Sequence, residues 1–195
     1  MEPNQTIKDR ILETALPDVP FDGWTDGLLE RAAQNAGYDA AMARAVFPKG
    51  VRDALIHFSG WADRRMLDAL KATNPVSLKV RERVALGVRL RFEILESFRE
   101  AERLAIAYWL RPFRKMDGAK LVWKTADAIW KWAGDTATDY NRYTKRGLLS
   151  GVITATAFFW LNDHSAGRAD SWAFLDRRID NVLSAAKIVG RFKTA

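Results

Sequence analysis

Thr25-Asp26-Gly27-Leu28-Leu29-Glu30-Arg31-Ala32-Ala33-Gln34-Asn35-Ala36-Gly37-Tyr38-Asp39-Ala40-Ala41-Met42-Ala43-Arg44-Ala45-Val46 holds two helices and the tight turn between them. Thr25 and Asp39 carry the short oxygen-bearing side chains that cap helix N-termini. Leu28, Leu29, Ala32 and Ala33 recur at helical spacing, and Gly37 follows where a helix closes in the left-handed conformation. With a preceding helix through Ile7, Ile11, Leu12 and Ala15, the stretch reads as a three-helix unit of helix-turn-helix type.

The rest of the chain keeps the same period. Breaks at Leu16-Pro17 and Val19-Pro20, at Phe47-Pro48-Lys49-Gly50, at Asn74-Pro75 and at Pro112 separate helical stretches. Helices are expected through Leu55 to Leu70, then over 80–97, 101–110, 118–133, 140–161 and 169–187. No stretch alternates as a strand does, and there is no internal repeat. The expected class is all-α, with 1–57 as the helix-turn-helix unit and 58–195 as a larger helical ligand-binding domain.

The chain of 195 residues has 48% apolar residues and no cysteine, which excludes disulfides and thiolate metal sites. Its net charge of +7 suggests nucleic acid, but the distribution does not. Residues 1–57 carry six Lys/Arg against nine Asp/Glu, a net −3, so the excess lies in 58–195. The longest uncharged run, 147–162, is 16 residues and falls short of the roughly 20 a membrane-spanning helix needs. The N-terminal residues have no apolar signal core, so a cytoplasmic location is expected.

Catalytic patterns are missing. His57 lies in an apolar helix and His164 in a polar loop. No Glu-x-x-His pair, phosphate loop or nucleophile elbow is present, so no catalytic residue, metal ligand or cofactor is assigned.

The chemistry concentrates at 134–181. A polar, aromatic and basic cluster precedes the uncharged run, and five of the eight tryptophans, at 123, 130, 132, 160 and 172, fall in the last three expected helices. Small residues Gly147, Gly151, Ala155 and Ala157 alternate with large apolar ones. The region admits two readings, a packed core or a cavity for a lipid-sized ligand. For a cavity, the expected wall is Leu90, Ile94, Leu121, Ile129, Trp130, Leu148, Val152 and Phe159. The tail, with Ile188, Val189 and Phe192 among Lys187, Arg191 and Lys193, reads either as a membrane-binding amphipath or as a frayed terminus.

The pattern Arg10-Ile11-Leu12…Gly23-Trp24-Thr25…Ala32-Ala33…Ala36-Gly37…Phe47-Pro48-Lys49 resembles the N-terminal domain of TetR-family regulators, whose third helix enters the DNA major groove. The third helix here offers Arg44 and Asp39 among small and apolar residues. Base reading and phosphate contact need exposed polar and basic side chains, so this unit reads as a structural module and DNA is not expected as a partner. The alternative is a TetR-type transcriptional regulator with a hydrophobic effector.

Three segments carry a further resemblance: Val19-Pro20-Phe21-Asp22-Gly23-Trp24-Thr25; Thr138-Asp139-Tyr140-Asn141…Tyr143-Thr144-Lys145-Arg146; and Trp172-Ala173-Phe174-Leu175-Asp176-Arg177-Arg178-Ile179-Asp180-Asn181. They look like the coenzyme Q (ubiquinone) biosynthesis accessory proteins of the Coq-nine family. The resemblance implies a TetR-like fold that binds phospholipid or an isoprenoid quinone precursor without enzymatic activity. It implies a homodimer at a membrane surface, peripheral to the bacterial inner membrane or on the matrix side in a mitochondrion. It also implies docking to the di-iron demethoxyubiquinone hydroxylase. By position, Asp139, Tyr140, Asn141, Tyr143, Lys145 and Arg146 match the family's docking patch. Arg142 belongs to the same patch but stands where the family usually has tryptophan. The tail is shorter than the long terminal amphipathic helix of eukaryotic members.

Overall fold

The computed structural model describes residues 3–138 and 140–192, with side chains over 4–138 and 140–182. The described residues form ten α-helices with no strand among them: α1 Pro3–Ala15, α2 Val19–Asp22, α3 Asp26–Asn35, α4 Ala40–Val46, α5 Val51–Leu70, α6 Val80–Leu95, α7 Arg99–Trp109, α8 Lys115–Trp132, α9 Tyr140–Asn162 and α10 Ala169–Phe192. The all-α class read from the sequence is therefore what the chain adopts.

Local chemistry sets the boundaries. The Thr25 hydroxyl accepts from the Leu28 amide, and the Asp39 carboxylate accepts from the Ala41 amide. Gly37, at φ +85°, lets the Tyr38 amide reach back to the Ala33 carbonyl at 2.9 Å and close α3. The expected break at Val19-Pro20 contains one short extra helix, α2. Pro20 sits in its first turn, where the absent N–H has no intrahelical partner to lose.

Contacts divide the chain into two compact units. The first comprises Met1–Arg65 and Ile94–Leu121. Here α1 packs on α3 and α4, burying Ile11, Leu12, Ala15, Leu28, Leu29, Ala32 and Ala33. Trp24 lies 5.4 Å from Phe58, centroid to centroid, and its indole N–H donates to the Ala101 carbonyl at 3.0 Å. Trp61 stacks on Phe58 and donates to Glu13 at 2.9 Å, so each indole has an apolar body and a satisfied N–H.

The second unit comprises Met66–Glu93 and Val122–Ala195. Its core includes Val84, Val88, Phe92, Ala126, Ile129, Leu149, Val152, Ile153, Trp160, Leu175 and Ile179. Phe92 and Trp160 meet at 5.1 Å. At Gly87 an added Cβ would stand 2.9 Å from Ile129 Cγ2, so the absence of a side chain is what lets Ile129 pack there. The turn between α9 and α10 is held by Asp163, which accepts from the Ser165 amide at 2.7 Å, the Ser171 amide at 2.9 Å and the Ser171 hydroxyl at 2.5 Å. Burial pushes this carboxyl up, but those hydrogen bonds more than reverse it and hold it well below the usual carboxylate range.

Candidate functional site

The head of α9 is built on the end of α8, inside the second unit. Gly134 takes φ +87°, and the chain reverses so that the Asp135 amide donates to the Trp130 carbonyl at 2.9 Å. That turn brings the Asp135 carboxylate to the first turns of α9. It accepts from Lys145 Nζ at 2.6 Å and Arg146 Nη1 at 2.9 Å. Arg146 Nε donates to Asp127 at 2.5 Å, and Asp127 also pairs with Lys131 at 2.8 Å and, more loosely, with Arg142 at 3.8 Å.

Burial pushes Asp135 up, yet the hydrogen bonds from Lys145 and Arg146 outweigh it and keep the carboxyl below its ordinary range. Asp127 follows the same balance, with Lys131 and Arg146 as donors. For Arg146 burial acts downward, and its bonds to the two aspartates raise it instead. Asp127, Asp135 and Arg146 are therefore each held in the charged form. Two carboxylates serve four cations, Lys131, Arg142, Lys145 and Arg146, so the head of α9 is net positive.

Aromatic residues complete the scaffold. Trp130 donates its indole N–H to the Lys145 carbonyl at 3.1 Å, and Lys145 Nζ lies 5.4 Å from the centre of the same ring. Trp123 faces Tyr143 at 6.2 Å. Tyr140, Asn141 and Tyr143 turn outward and are exposed. The site can present two phenol rings and part-exposed cations on a frame fixed by ion pairs, a composition suited to a protein interface.

The expected docking patch is redistributed by the fold. Tyr140, Asn141 and Tyr143 are at the surface, and Arg142 and Lys145 are half-buried. Arg146, expected on the patch, is instead 2% exposed and sits at the centre of the salt-bridge network. Asp139 lies outside the described residues. Asp127, Asp135 and Trp123 are not among the residues the sequence assigns to the site. A register argument would have found Arg146: it leads the buried stripe Leu149, Ile153, Thr156 and Trp160.

Six of the eight expected wall residues lie in the second unit. Ile94 and Leu121 belong to the first unit. In the second, Ile129 and Val152 are buried in the core, and Leu90 and Leu148 are half-buried. Trp130 is half-buried and committed to Lys145. Phe159 lies in an open groove of about 470 Å³ with Ala155, Phe158, Phe174, His164 and Asp170. Phe159 and Phe174 stack at 4.5 Å and 11° to form its apolar side. For Ile188, Val189 and Phe192 only the helical backbone of α10 is described; their side chains lie outside the described residues. Among the described residues no three His, Asp or Glu side chains gather into a metal-binding cluster.

The sequence model of the COQ9 family matches residues 116–186, which span nearly all of α8 together with α9 and most of α10. The ubiquinone biosynthesis protein COQ9, mitochondrial, of Rattus norvegicus is 28% identical over 99% of this chain and 64% of its own length. The Homo sapiens protein of the same name is 26% identical over 99% and 63%.

The chain is related to COQ9 along nearly its whole length.

It spans a little under two thirds of these COQ9 relatives, and 55% of the Drosophila melanogaster one, which is 28% identical. Among solved structures, the TetR transcriptional regulator from Nitrosomonas europaea ATCC 19718 superposes with a TM-score of 0.73, at 19% identity, over 91% of this chain and 98% of that one. The COQ9-like chain thus has a TetR-like all-α fold.

Proposed function

We propose that this chain is a lipid-binding accessory protein of ubiquinone biosynthesis. In this reading it carries an isoprenoid quinone precursor or a phospholipid and presents it to the demethoxyubiquinone hydroxylase as a homodimer peripheral to the membrane. The observation that carries the reading is the head of α9. Tyr140 and Tyr143 are exposed on a frame of buried ion pairs, inside the segment that matches the COQ9 family. A frame of that kind orders the rings before a partner arrives and lowers the entropy cost of docking.

The groove at Phe158, Phe159 and Phe174 supports a place for apolar cargo in the same unit. The division into a helix-turn-helix unit over 1–57 and a lipid-binding domain over 58–195 is part of the proposal. Organic extraction of the purified protein, followed by mass spectrometry, tests the cargo. Recovery of polyprenyl quinone precursors or phospholipid is expected, and a protein free of lipid that also fails to take up a quinone precursor would overturn the reading.

Fold likeness to a TetR regulator favours one alternative, a DNA-binding protein with a hydrophobic effector. Against it, Arg44, the one basic residue on α4, lies 2.6 Å from the Glu30 carboxylate, which reduces the local positive potential that phosphate contact needs. Tight, salt-sensitive binding to upstream DNA is the result that would favour the regulator.

A further inference from the structure

The turn joining α7 to α8, in the first unit, has an inverted composition. It exposes its apolar residues: Phe113 is fully exposed, Met116 is 71% exposed and Leu110 52%. Around them stand Arg111, Arg114, Lys115 and Lys120, with Asp117 as the carboxylate in the segment, so residues 110–120 carry a net +3. Arg111, Lys115 and Lys120 are exposed.

This turn is also held in shape. Phe113 has φ +67°, a left-handed conformation that phenylalanine rarely adopts. The base beneath it is clamped in three places. Arg52 donates to Asp117 at 2.9 Å. The Arg114 guanidinium lies 4.0 Å from the centre of the Tyr108 ring. Gly118 lets α8 approach the end of α7 so closely that a Cβ there would meet Trp109 Cβ at 2.9 Å. Asp117 is held by Arg52 from below, with the exposed Lys120 3.6 Å away, while Arg111, Lys115 and the Phe113 ring are exposed.

We propose that the turn over residues 110–116 is a membrane-surface anchor, in which Phe113, with Leu110 and Met116, enters the interface of an anionic bilayer. Arg111, Lys115 and Lys120 would meet the lipid phosphates. Charge complementarity and an apolar tip are what interfacial binding requires, and neither a dry protein core nor a nucleic acid wants that pair together. A surface anchor also needs no spanning helix, and no helix among the described residues is long and apolar enough to cross a membrane. The inference rests on the membrane-surface part of the proposed function. It places that contact on a turn separate from the α10 tail and from the head of α9.

The chain has no cysteine, so single labels are unambiguous. The full chain carrying Phe113→Cys with an NBD fluorophore is mixed with vesicles of phosphatidylcholine and phosphatidylserine, free of quinone and of hydroxylase. The emission at 113 is expected to shift to the blue, and the same label at the exposed control Val76→Cys is expected not to move. In the unlabelled chain, Arg111→Glu with Lys115→Glu is expected to lower vesicle partitioning at least about fivefold for each charge changed. A label at 113 that stays in water on bound protein overturns the anchor. Equal binding to pure phosphatidylcholine does so too, as does a shift produced by a protein partner and not by vesicles. Lipid extraction and hydroxylase capture can still succeed in any of these cases, which separates failure of the anchor from failure of the proposed function.

Discussion

Arg146 and Asp135 meet at 2.9 Å with their side chains 2% and 4% exposed, which makes them the sealed centre of a cluster whose outer members face solvent. Removing one partner of such a pair leaves a buried charge that cannot recover its hydration. Arg146→Met is therefore expected to destabilise the protein by about 2–3 kcal/mol, less than the roughly 3–5 kcal/mol of a fully uncompensated buried charge, because Lys145 and Lys131 still pair with the two aspartates. Urea denaturation checks this; a loss below about 0.5 kcal/mol would place Arg146 outside the stabilising frame.

Tyr143→Ala separates docking from folding. Its ring is exposed and meets Trp123 at the edge of the frame, so stability is expected to change by no more than about 1 kcal/mol. Capture of the hydroxylase is expected to fall about tenfold, the scale of an exposed aromatic anchor at an interface. Undiminished capture would remove Tyr143 from the contact surface. Lys145→Glu makes a poor docking probe, because it sets a second carboxylate against Asp135 and is expected to unfold the head of α9 as well.

Gly134→Ala tests how the site is placed. The φ of +87° is open to glycine and costly to alanine, so a loss of about 1 kcal/mol is expected. Because this turn positions Asp135, the variant is also expected to weaken hydroxylase capture more than a surface change of equal destabilisation. Calorimetry and pull-down on the same preparation decide it.

Acid sensitivity has two separate origins. Burial pushes His57 below its ordinary value, and this outweighs the carboxylate of Asp9 at 2.7 Å. The unfolded chain then takes up the proton more readily than the folded one, so stability is present above the ordinary histidine value of 6.5 and declines as pH falls below it. The slope cannot exceed about 1.4 kcal/mol per pH unit for one group. His57→Gln should flatten the urea midpoint between about pH 7 and 5, before carboxylates titrate. Asp127 and Asp135 are depressed, so their contribution is lost only at lower pH, as it drops past the ordinary carboxylate value of 3.8.

Phe159→Ser addresses the groove. Phe159 is partly exposed and stacked on Phe174, so stability is expected to fall by only about 1 kcal/mol. Retention of an apolar fluorescent lipid should drop several-fold. Full retention would exclude the groove as the cargo site.

The fold class was legible because its determinants are local. Thr25, Asp39 and Gly37 mark helix ends by their own side chains or lack of one, and the apolar spacing runs uninterrupted between breaks. The head of α9 was legible as a cluster, but not in its division of labour. Which cation is buried depends on two carboxylates delivered by another helix and by the turn at Gly134, and spacing along α9 alone does not contain them. Trp130 reads as apolar wall from sequence, and only the fold shows its N–H committed to the Lys145 carbonyl. Phe113 gave no signal, since an exposed phenylalanine and a buried one are the same letter.

Asp163 has a kinetic consequence. Its bonds to Ser171 join residues only eight apart, while the Arg81–Asp180 pair in the same unit spans 99. Short loops close at little entropic cost and long ones at more, so the α9–α10 hairpin is positioned to form before the contacts that enclose it. Replacing Asp163 should then slow refolding, whereas replacing Asp180 should chiefly speed unfolding.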